Sequence, residues 1–547
     1  MTTETMNSTN QKHVPVLIVG AGGAGLSMSL LLQQQGIKSL LIERRAEISW
    51  VPRARNLNFR TLEVFRGLGL EAEVVKAGTR VSRMFSKETL ASNEQEDILD
   101  AATLVENIEE LTPGPFLWYC PQNQLEPLLL SKTKQRGAKV QYNTELVSFT
   151  QDQNGVTATI KDRSTGKIFE QHSDYLVAAD GAHSPVRTRL NIPTKGLGAI
   201  PEQYIFVYFR ANWAELVHDH MADGIIIKNS DGMGMFLITD MDRGMYMIIC
   251  PPNDQRSPQD YTKELCKDII IKAMGKREIS VEIIEVAPWQ PIQRVADEFQ
   301  VGRVFLVGDA AHTMPPKLGL GVNTAIQSAQ NLAWKLVSVL KGNAGSQLLT
   351  TYQEERHPVG LLVADQSLTG PATELLDKMS ANISELPKKQ LSLLRIIVGY
   401  PYRSEAIISE EYTPLSPDDF PDRPELSGLP GTRLTHIWVE QKGKRISTLD
   451  LFDGRIVLLT GSNGSSWCEA AKTMASKMGI DLAAYRVGGD GDLIDKENGW
   501  QTKMRMPDNG AMLVRPDGYV AWRSMTMPAN PAEQLESALV HILSVKV

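Results

Sequence analysis

The chain has 547 residues, of which 42% are hydrophobic and 22% are charged, and its formal net charge is −7. This length exceeds what one hydrophobic core usually organises, so we expect more than one domain. The mildly acidic balance argues against nucleic acid as a partner, and no apolar run approaches the roughly 18 residues of a membrane span, so we expect no membrane association.

The first elements predicted along the chain form a βαβ unit. Residues 1–13 are polar and are expected to be a disordered lead. The β-branched apolar run PVLIVG then indicates a buried parallel strand. Good helix formers at 24–35, followed by Gly36, predict a helix, and KSLLIE predicts a second strand.

A glycine cluster, GAGGAG, connects the first strand to the helix. Gly20, Gly22 and Gly25 have G-x-G-x-x-G spacing, which allows a tight turn, close approach of the backbone to a pyrophosphate, and close packing of helix on strand. Glu43 ends the second strand, where a carboxylate can accept hydrogen bonds from a ribose, and we place Arg44 beside the same site. The pattern predicts dinucleotide binding without a 2′-phosphate; a purely structural turn is the alternative.

Further elements follow toward the C-terminus. Alternating hydrophobicity predicts a β-meander at 155–180 and antiparallel strands at 224–250. RVFLVGD at 303–309 predicts another buried strand, and a long helix is expected to follow and to end at Gly342. A stretch rich in Pro and Asp at 411–431 is typical of a linker. The remaining stretch of about 115 residues is large enough to fold on its own.

Two segments resemble motifs of a known family. VAADGAHSPVR (177–187) and GRVFLVGDAAHTMPPKLGLGVNTAIQSAQNLAWKL (302–336) resemble the D-G and G-D motifs of the group A flavoprotein monooxygenases, the para-hydroxybenzoate hydroxylase fold. STLDLFDG (447–454) and LVRPDGYVAWR (513–523) are similar to the thioredoxin-like C-terminal domain of the aromatic polyketide hydroxylase and phenol hydroxylase branch. The resemblance covers residues 14–530.

This resemblance implies an α/β fold with three domains. We expect an FAD-binding Rossmann-like domain at 14–190 and 290–400, and an inserted antiparallel β-sheet domain for the substrate at 191–289. A linker at 401–430 would lead to a thioredoxin-like α/β domain at 431–547.

The resemblance also implies contacts to the flavin. Arg53 would lie along the flavin, with Arg55 as its neighbour, and Gln122 would contact it through an amide that both donates and accepts. Asp180 would serve both FAD and a transiently bound nicotinamide cofactor, with Arg187 at the basic end of the motif. Without the family, these would be expected to be surface arginines, a helix-start residue and a turn.

The G-D motif and the loop after it complete the implied FAD site. Asp309 would accept hydrogen bonds from the ribityl chain, for which Gly308 leaves room, and backbone N–H groups opening the long helix would face the flavin pyrimidine ring. A simple loop leading into a helix is the alternative. The full set of predicted cofactor-binding residues is Gly20, Gly22, Gly25, Glu43, Arg44, Arg53, Gln122, Asp180, Gly308, Asp309, Pro316, Gly319, Gly321 and Asn323.

The activity implied by the family is aromatic hydroxylation. NADPH or NADH would reduce FAD, O2 would add to give a flavin C4a-hydroperoxide, and its terminal oxygen would pass to an electron-rich aromatic carbon. We expect a polycyclic, polyketide-type phenol and no catalytic side chain, since the flavin carries the chemistry. Baeyer-Villiger oxidation, epoxidation or reduction is the alternative, as is a flavin-binding scaffold. The family often dimerises, so a homodimer is compatible with the resemblance.

The strands at 224–250 are the expected roof over the substrate. Leu237 and Thr239 on one strand, and Met245 and Met247 on the next, should face one way by strand alternation. Thioethers adapt to flat aromatic faces, although packing in the sheet core is an equal alternative. The pocket candidates are Arg53, Thr239, Met247 and Pro316.

Some residues depart from the family pattern or have no predicted chemistry. Lys317 and Leu318 occupy the loop before Gly319, and Ser328 stands where the branch commonly has Asp. His312 lies at a motif position, and we expect a structural imidazole bonded to nearby backbone. Only four distant cysteines occur and only Cys468 lies in the last domain, so we predict a reduced, cytoplasmic protein with no metal site and no dithiol chemistry.

Overall fold

The computed structural model describes residues 13–49, 54–80, 83–100, 108–200, 203–213, 216–217, 222–238, 243–250, 256–369, 390–409 and 427–545. The helices of these residues are α1 (Gly23–Gln34), α2 (Phe59–Gly67), α3 (Glu71–Ala77), α4 (Gln122–Gln135), α5 (Pro185–Arg189), α6 (Lys263–Met274), α7 (Gly321–Leu340), α8 (Thr351–Gln366), α9 (Leu393–Val398), α10 (Ser465–Met478), α11 (Gly499–Thr502) and α12 (Pro531–Ile542).

The strands are β1 (His13–Val19), β2 (Ser39–Ile42), β3 (Asn56–Asn58), β4 (Thr79–Arg80), β5 (Arg83–Lys87), β6 (Glu96–Asp100), β7 (Leu117–Tyr119), β8 (Lys139–Gln141), β9 (Thr144–Gln151), β10 (Val156–Asp162), β11 (Ile168–Ala178), β12 (Thr194–Ala199), β13 (Gln203–Ala211), β14 (Ala222–Ile227), β15 (Gly234–Ile238), β16 (Arg243–Cys250), β17 (Val281–Trp289), β18 (Ile292–Ala296), β19 (Gln300–Val301), β20 (Val304–Leu306), β21 (His312–Thr313), β22 (Trp438–Gln441), β23 (Lys444–Ser447), β24 (Ile456–Thr460), β25 (Leu482–Arg486), β26 (Ala511–Val514) and β27 (Val520–Ser524).

The first sheet is built around the predicted βαβ unit. β1 pairs in parallel with β2 and β11, and β8 and β20 extend the sheet in parallel on either side. Within the predicted meander at 155–180, β10 and β11 pair antiparallel, and β9, which precedes the predicted range, pairs antiparallel with β10. Helices α1 and α7 pack together over this sheet, so β1 is buried on both faces, which explains its unbroken apolar sequence.

The second sheet has seven strands in the order β17-β13-β16-β15-β14-β5-β6. Residues 83–100 fall inside the range predicted for the FAD-binding domain, yet they form β5 and β6 of this sheet. β5 pairs in parallel with β14, and parallel partners are joined by long connections that leave no local signal in the sequence.

The two faces of the second sheet differ in what they contact. Phe236, Tyr246 and Ile248 pack with the apolar side of α6. Leu237, Met245 and Met247 lie together on the opposite face, as strand alternation predicts. Thr239 lies outside the described residues.

A small sheet connects the second sheet to the G-D motif. β18, which follows the last strand of the seven-stranded sheet, pairs antiparallel with both β12 and β21. β21 contains His312 and immediately follows the turn that contains Asp309. The seven-stranded sheet is therefore attached directly to one of the predicted cofactor motifs.

The C-terminal domain has the predicted thioredoxin-like topology. Its sheet has the order β25-β24-β26-β27, with β24 and β25 parallel and the other neighbours antiparallel, and α10 and α12 pack together beside it. Cys468 lies in α10, and burial raises the pKa of its thiol to about 11, so it is not a reactive thiolate at neutral pH.

The ends of the predicted segments differ in detail from the structure. β1 begins at His13, and residues 1–12 lie outside the described part. Of the predicted linker 401–430, residues 401–409 pack into the fold, with Tyr402 and Ala406 buried, while 410–426 lie outside the described part. Within the described residues, no helix is both long and apolar enough to span a bilayer.

Candidate active site

The predicted cofactor motifs meet at one edge of the first sheet. β1, β2, β11 and β20 are parallel, so their carboxyl ends lie side by side. Backbone hydrogen bonds continue past the strand ends, from Gly20 N to the Ile42 oxygen at 2.8 Å and from Val307 N to the Ala178 oxygen at 2.9 Å. Ligands of such sheets bind outside the carboxyl ends of the strands.

The glycine loop at this edge has the geometry that its spacing predicts. Gly20 has a φ of +105°, and a Cβ there would stand 2.2 Å from the carbonyl oxygen of Ala179. A Cβ on Gly25 would stand 1.9 Å from the carbonyl oxygen of Gly20, so α1 approaches the loop too closely for any side chain. At Gly22, among the described residues, only a carboxylate oxygen of Glu126 lies within 4 Å of the same position, so they leave this side of the loop open.

Glu43 holds the glycine loop from the next strand. Its carboxylate accepts hydrogen bonds from Ala21 N at 2.9 Å and from Arg45 N at 3.0 Å. The side chain remains partly exposed, as a group that also accepts from a ribose must be. Arg44 beside it is exposed, and its carbonyl oxygen accepts from Arg163.

Gln122 is the first residue of α4 and lies close to the glycine loop. Its backbone N–H donates to the carbonyl oxygen of Ala54, and its side-chain amide donates to Glu126 at 2.6 Å. Arg53 lies outside the described residues. Arg55 lies over the ring of Tyr119, with its guanidinium carbon 5.4 Å from the ring centroid.

The D-G motif contributes a carboxylate with one unsatisfied oxygen. Asp180 accepts from Val186 N at 3.1 Å through one oxygen, whereas its Oδ1 is buried and has no hydrogen-bond partner among the described residues. Burial raises the pKa of this carboxyl. Arg187 connects the two motifs, because it donates to the carbonyl oxygens of Ala310 and Ala182 at 2.8 Å each.

The G-D motif and the loop after it lie beside this carboxylate. Asp309 follows buried β20 and is exposed at the carboxyl edge, and Gly308 packs against Ala24 and Ala325. Pro316 is exposed in a 3-10 turn that ends at Gly319, and α7 begins at Gly321.

Asn323 uses its whole side chain to hold that loop. Its amide nitrogen donates to the carbonyl oxygens of Asn56 and Gly319 at 2.8 and 2.9 Å, and its oxygen accepts from Asn58 N at 2.9 Å. The residue is 2% exposed. Both N–H groups and the oxygen of its side chain are therefore engaged in fixing the loop that opens α7.

The surroundings of His312 fit a structural role for this residue. It is buried, and its Nε2 lies 3.3 Å from the hydroxyl of Ser328. Burial, with the nearby cation of Arg356, lowers the pKa of His312 to about 3, so the ring is neutral at physiological pH. The partner of this nitrogen is the side-chain hydroxyl of Ser328, whereas the sequence predicts a bond to nearby backbone. Ser328 is also the position at which the sequence departs from the family pattern.

These groups fit FAD. The edge provides open backbone at Gly22, a partly exposed Glu43 where a ribose carboxylate is expected, a buried acceptor without a donor at Asp180, and an exposed Asp309. The N-terminus of α7 lies at the end of the small-residue loop, where free N–H groups favour negative charge. Within the described residues, no cluster of three or more His, Cys, Asp or Glu is placed to hold a metal ion.

A buried ionic core, which the motif analysis did not identify, joins α7 to the C-terminal domain. It consists of Lys335, Glu355, Arg515 and Asp517, each at most 2% exposed. Arg515 donates to both oxygens of Glu355 at 2.6 and 2.8 Å, and Lys335 donates to Glu355 at 2.9 Å. The two cations hold the pKa of Glu355 well below its usual range although burial opposes ionisation.

Asp517 anchors the same core from a turn of the C-terminal domain. It accepts from Arg515 at 2.5 Å, and from Asn331 and Trp334 of α7 at 3.2 Å each. Its carbonyl oxygen accepts from Arg60 of α2 at 2.7 Å. In the sequence, the segment RPDGY is only a mark of the family. The alternation of Arg and Asp in this apolar segment is the signal that could have indicated the ionic core.

The chain matches two families in sequence. Residues 13–367 match the FAD binding domain family, and residues 427–545 match the aromatic-ring hydroxylase C-terminal family. The chain belongs to the FAD-dependent aromatic-ring hydroxylases. The predicted fold, FAD as cofactor and monooxygenase class are thereby confirmed, and NAD(P)H is the electron donor typical of these hydroxylases.

Relatives of this hydroxylase are named for different aromatic molecules. It is 36% identical to tetracenomycin A2 monooxygenase-dioxygenase of Streptomyces glaucescens, with 97% of each chain covered. It is 34% identical to 2,4-dichlorophenol 6-monooxygenase of Delftia acidovorans, with 97% and 98% covered. Its fold matches the crystal structure of a ternary complex of aklavinone-11 hydroxylase with FAD and aklavinone at a TM-score of 0.89 and 32% identity, covering 98% of this chain and all of that one.

Proposed function

We propose that this aromatic hydroxylase acts on a fused-ring, polyketide-type phenol held against the face of the seven-stranded sheet that lies opposite α6. The observation that carries the proposal is the composition of that face, which combines broad rings and thioethers. The face is formed by Tyr204, Tyr208, Ile226, Leu237, Met245, Met247 and Ile249, with Phe206, Met235 and Trp289 at its margins.

This surface suits a flat polycyclic molecule better than a single ring. Tyr204 and Phe206 both lie within 6 Å of Trp289, centroid to centroid, so aromatic surface extends over several side chains. Methionine thioethers adapt their shape to aromatic faces. The opposite face is covered by α6, and the residues of this face are themselves at most 5% exposed, so a ring held here would be enclosed away from water. The relatives named for tetracenomycin and aklavinone support the same substrate class.

The assignment of domain roles follows from this placement. The first sheet and its carboxyl edge would bind FAD, which when bound supplies the redox chemistry that activates O2. Side chains of the second sheet would orient the substrate ring and exclude water. The opening of α7 would favour the negative charge of the reduced cofactor through its free N–H groups. Pro316, exposed at this opening, remains a pocket candidate, together with Arg53 and Thr239 outside the described residues.

The proposal is tested by anaerobic reduction of the purified protein. Flavin absorbance is followed after mixing with NADPH or NADH, with a set of fused-ring phenols and with a single-ring phenol. We expect a fused-ring phenol to accelerate reduction many-fold, and one atom of labelled O2 to enter the aromatic product. Equal rates with every compound would favour the reductase alternative, and label in a lactone or epoxide would favour the other two.

A substitution on the sheet face tests whether this face holds the substrate. Met247→Lys introduces a charge on the proposed substrate face and should weaken binding of the accelerating phenol at least tenfold. Met525→Lys is the matched control, because Met525 is 40% exposed in the C-terminal domain and should leave binding unchanged. Equal phenol affinity in both variants would contradict the proposed orientation of the sheet.

A cytoplasmic homodimer completes the proposal. The four cysteines form no disulfide with one another, as in a reducing compartment. Light scattering of the purified protein tests the oligomeric state, with twice the 60.5 kDa chain mass expected.

A further inference from the structure

The carboxyl of Glu126 lies directly beside the glycine loop, where no cofactor motif placed an acid. The side chain is 3% exposed. One oxygen accepts from Gln122 at 2.6 Å, and the backbone N–H of Gly23, the first residue of α1, also donates to the carboxyl. The same oxygen would be 3.5 Å from a Cβ on Gly22. Glu126 thus already uses one of the N–H groups that a helix N-terminus offers to an anion.

The groups around Glu126 leave its charge poorly compensated. Glu43, at the end of β2, repels it, and Arg45 attracts it only from an exposed position. Among the described residues, Tyr142, after β8, is the other titratable group that faces it. Burial is the largest influence and raises the pKa of Glu126 to about 7, although the hydrogen bonds from Gln122 and Gly23 oppose the rise.

We propose that FAD binding takes up a proton at Glu126, so that the carboxyl is neutral when the pyrophosphate lies on the glycine loop. The inference rests on the FAD site described above. Two anions at one helix N-terminus repel each other in a site with little solvent, and the repulsion ends when Glu126 is protonated. A neutral carboxyl still accepts from Gly23 and gains an O–H donor.

The linkage gives FAD affinity a defined dependence on pH. Below pH 7 Glu126 carries its proton in the free protein and binding takes up nothing. Above pH 7 each binding event must first protonate Glu126, so the dissociation constant should rise by up to tenfold per pH unit. This pH dependence of FAD binding would come from one side chain of α4, Glu126.

The experiment uses the full-length protein freed of FAD and titrated with FAD from pH 5.5 to 9 at constant ionic strength, with quenching of flavin fluorescence as the signal. The native chain should show the rise above pH 7, and Glu126→Gln should bind with a dissociation constant that is nearly flat. Tyr142→Phe is the matched control: burial raises the pKa of this phenol to about 12, so the slope should persist.

Calorimetry of the native chain gives a second readout that needs no variant. At pH 8, FAD binding in buffers of different ionisation enthalpy should show uptake of most of one proton. A slope retained in Glu126→Gln, or no proton uptake in the native chain, would overturn the inference while leaving FAD binding intact. Failure to bind FAD at every pH would instead remove the cofactor site itself and the inference with it.

Discussion

The ionic core between α7 and the C-terminal domain should be sensitive to the loss of one charge. In Asp517→Asn, an amide nitrogen replaces an oxygen that accepts hydrogen bonds from Arg515, Asn331 and Trp334. Arg515 and Lys335 would then share a single carboxylate, Glu355, in a site without solvent. Breaking a buried ion pair by removing one partner costs about 3–5 kcal/mol. We expect a loss of this size in the free energy of unfolding.

The assay is urea unfolding followed by circular dichroism and by tryptophan fluorescence. The control is Asp453→Asn, which removes the same charge from the same domain but from an ion pair with Arg455 in which both side chains are at least one-third exposed. Exposed pairs contribute about 0–1 kcal/mol. If the two variants lose equal stability, the ionic core does not hold the domains together and the reasoning is refuted.

Three other changes test the site. Gly25→Ala, whose Cβ would stand 1.9 Å from a loop carbonyl oxygen, should abolish FAD retention. Gly36→Ala is the control: its φ of +76° makes alanine strained there too, but no atom of the described residues lies within 4 Å of the Cβ, so FAD should be retained; flavin absorbance after gel filtration decides. Ser328→Asp should raise the thermal midpoint, because it supplies a carboxylate to buried Arg356, whose Nε lies 3.1 Å from the present hydroxyl. Ser328→Ala should lower the midpoint, because it removes an acceptor worth about 1–2 kcal/mol. Equal decreases in the two variants would contradict this. Finally, folding raises the pKa of Glu126 from 4.5 to about 7. The protonated carboxyl therefore contributes about 3 kcal/mol to the free energy of unfolding below pH 4.5, and this contribution is lost as the pH rises through 7. Urea titrations at several pH values should show that loss in the native chain and not in Glu126→Gln.

The local part of the fold and of the site could be read from the sequence. The glycine spacing predicted the turn at Gly20 and the close contact at Gly25, because each depends on residues a few positions apart. Strand alternation likewise placed Leu237 and Met245 on one face.

Features that depend on distant parts of the chain were not predictable. The addition of β5 and β6 to the second sheet and the contact of Glu126 with the glycine loop both join segments that are far apart in sequence. Asn323 shows the same limit at the site: the sequence predicts its motif position, but only the structure shows that both of its N–H groups and its oxygen hold the loop. A pattern identifies residue type and spacing, whereas hydrogen-bond saturation is a property of the packed neighbours.

The ionic core and the buried contacts of α2 also affect the order in which the parts of the chain can fold during synthesis. Arg60 meets its partner in the turn at Asp517 across 457 positions, and Glu63 meets Arg433 across 370. Domains generally fold in the order in which they leave the ribosome. Glu63 of α2 has Arg60 beside it, and Glu355 has Lys335, but their second cationic partners, Arg433 and Arg515, are made only with the C-terminal domain. Nascent or truncated chains would therefore leave these carboxylates with only part of their compensating charge beside apolar surface.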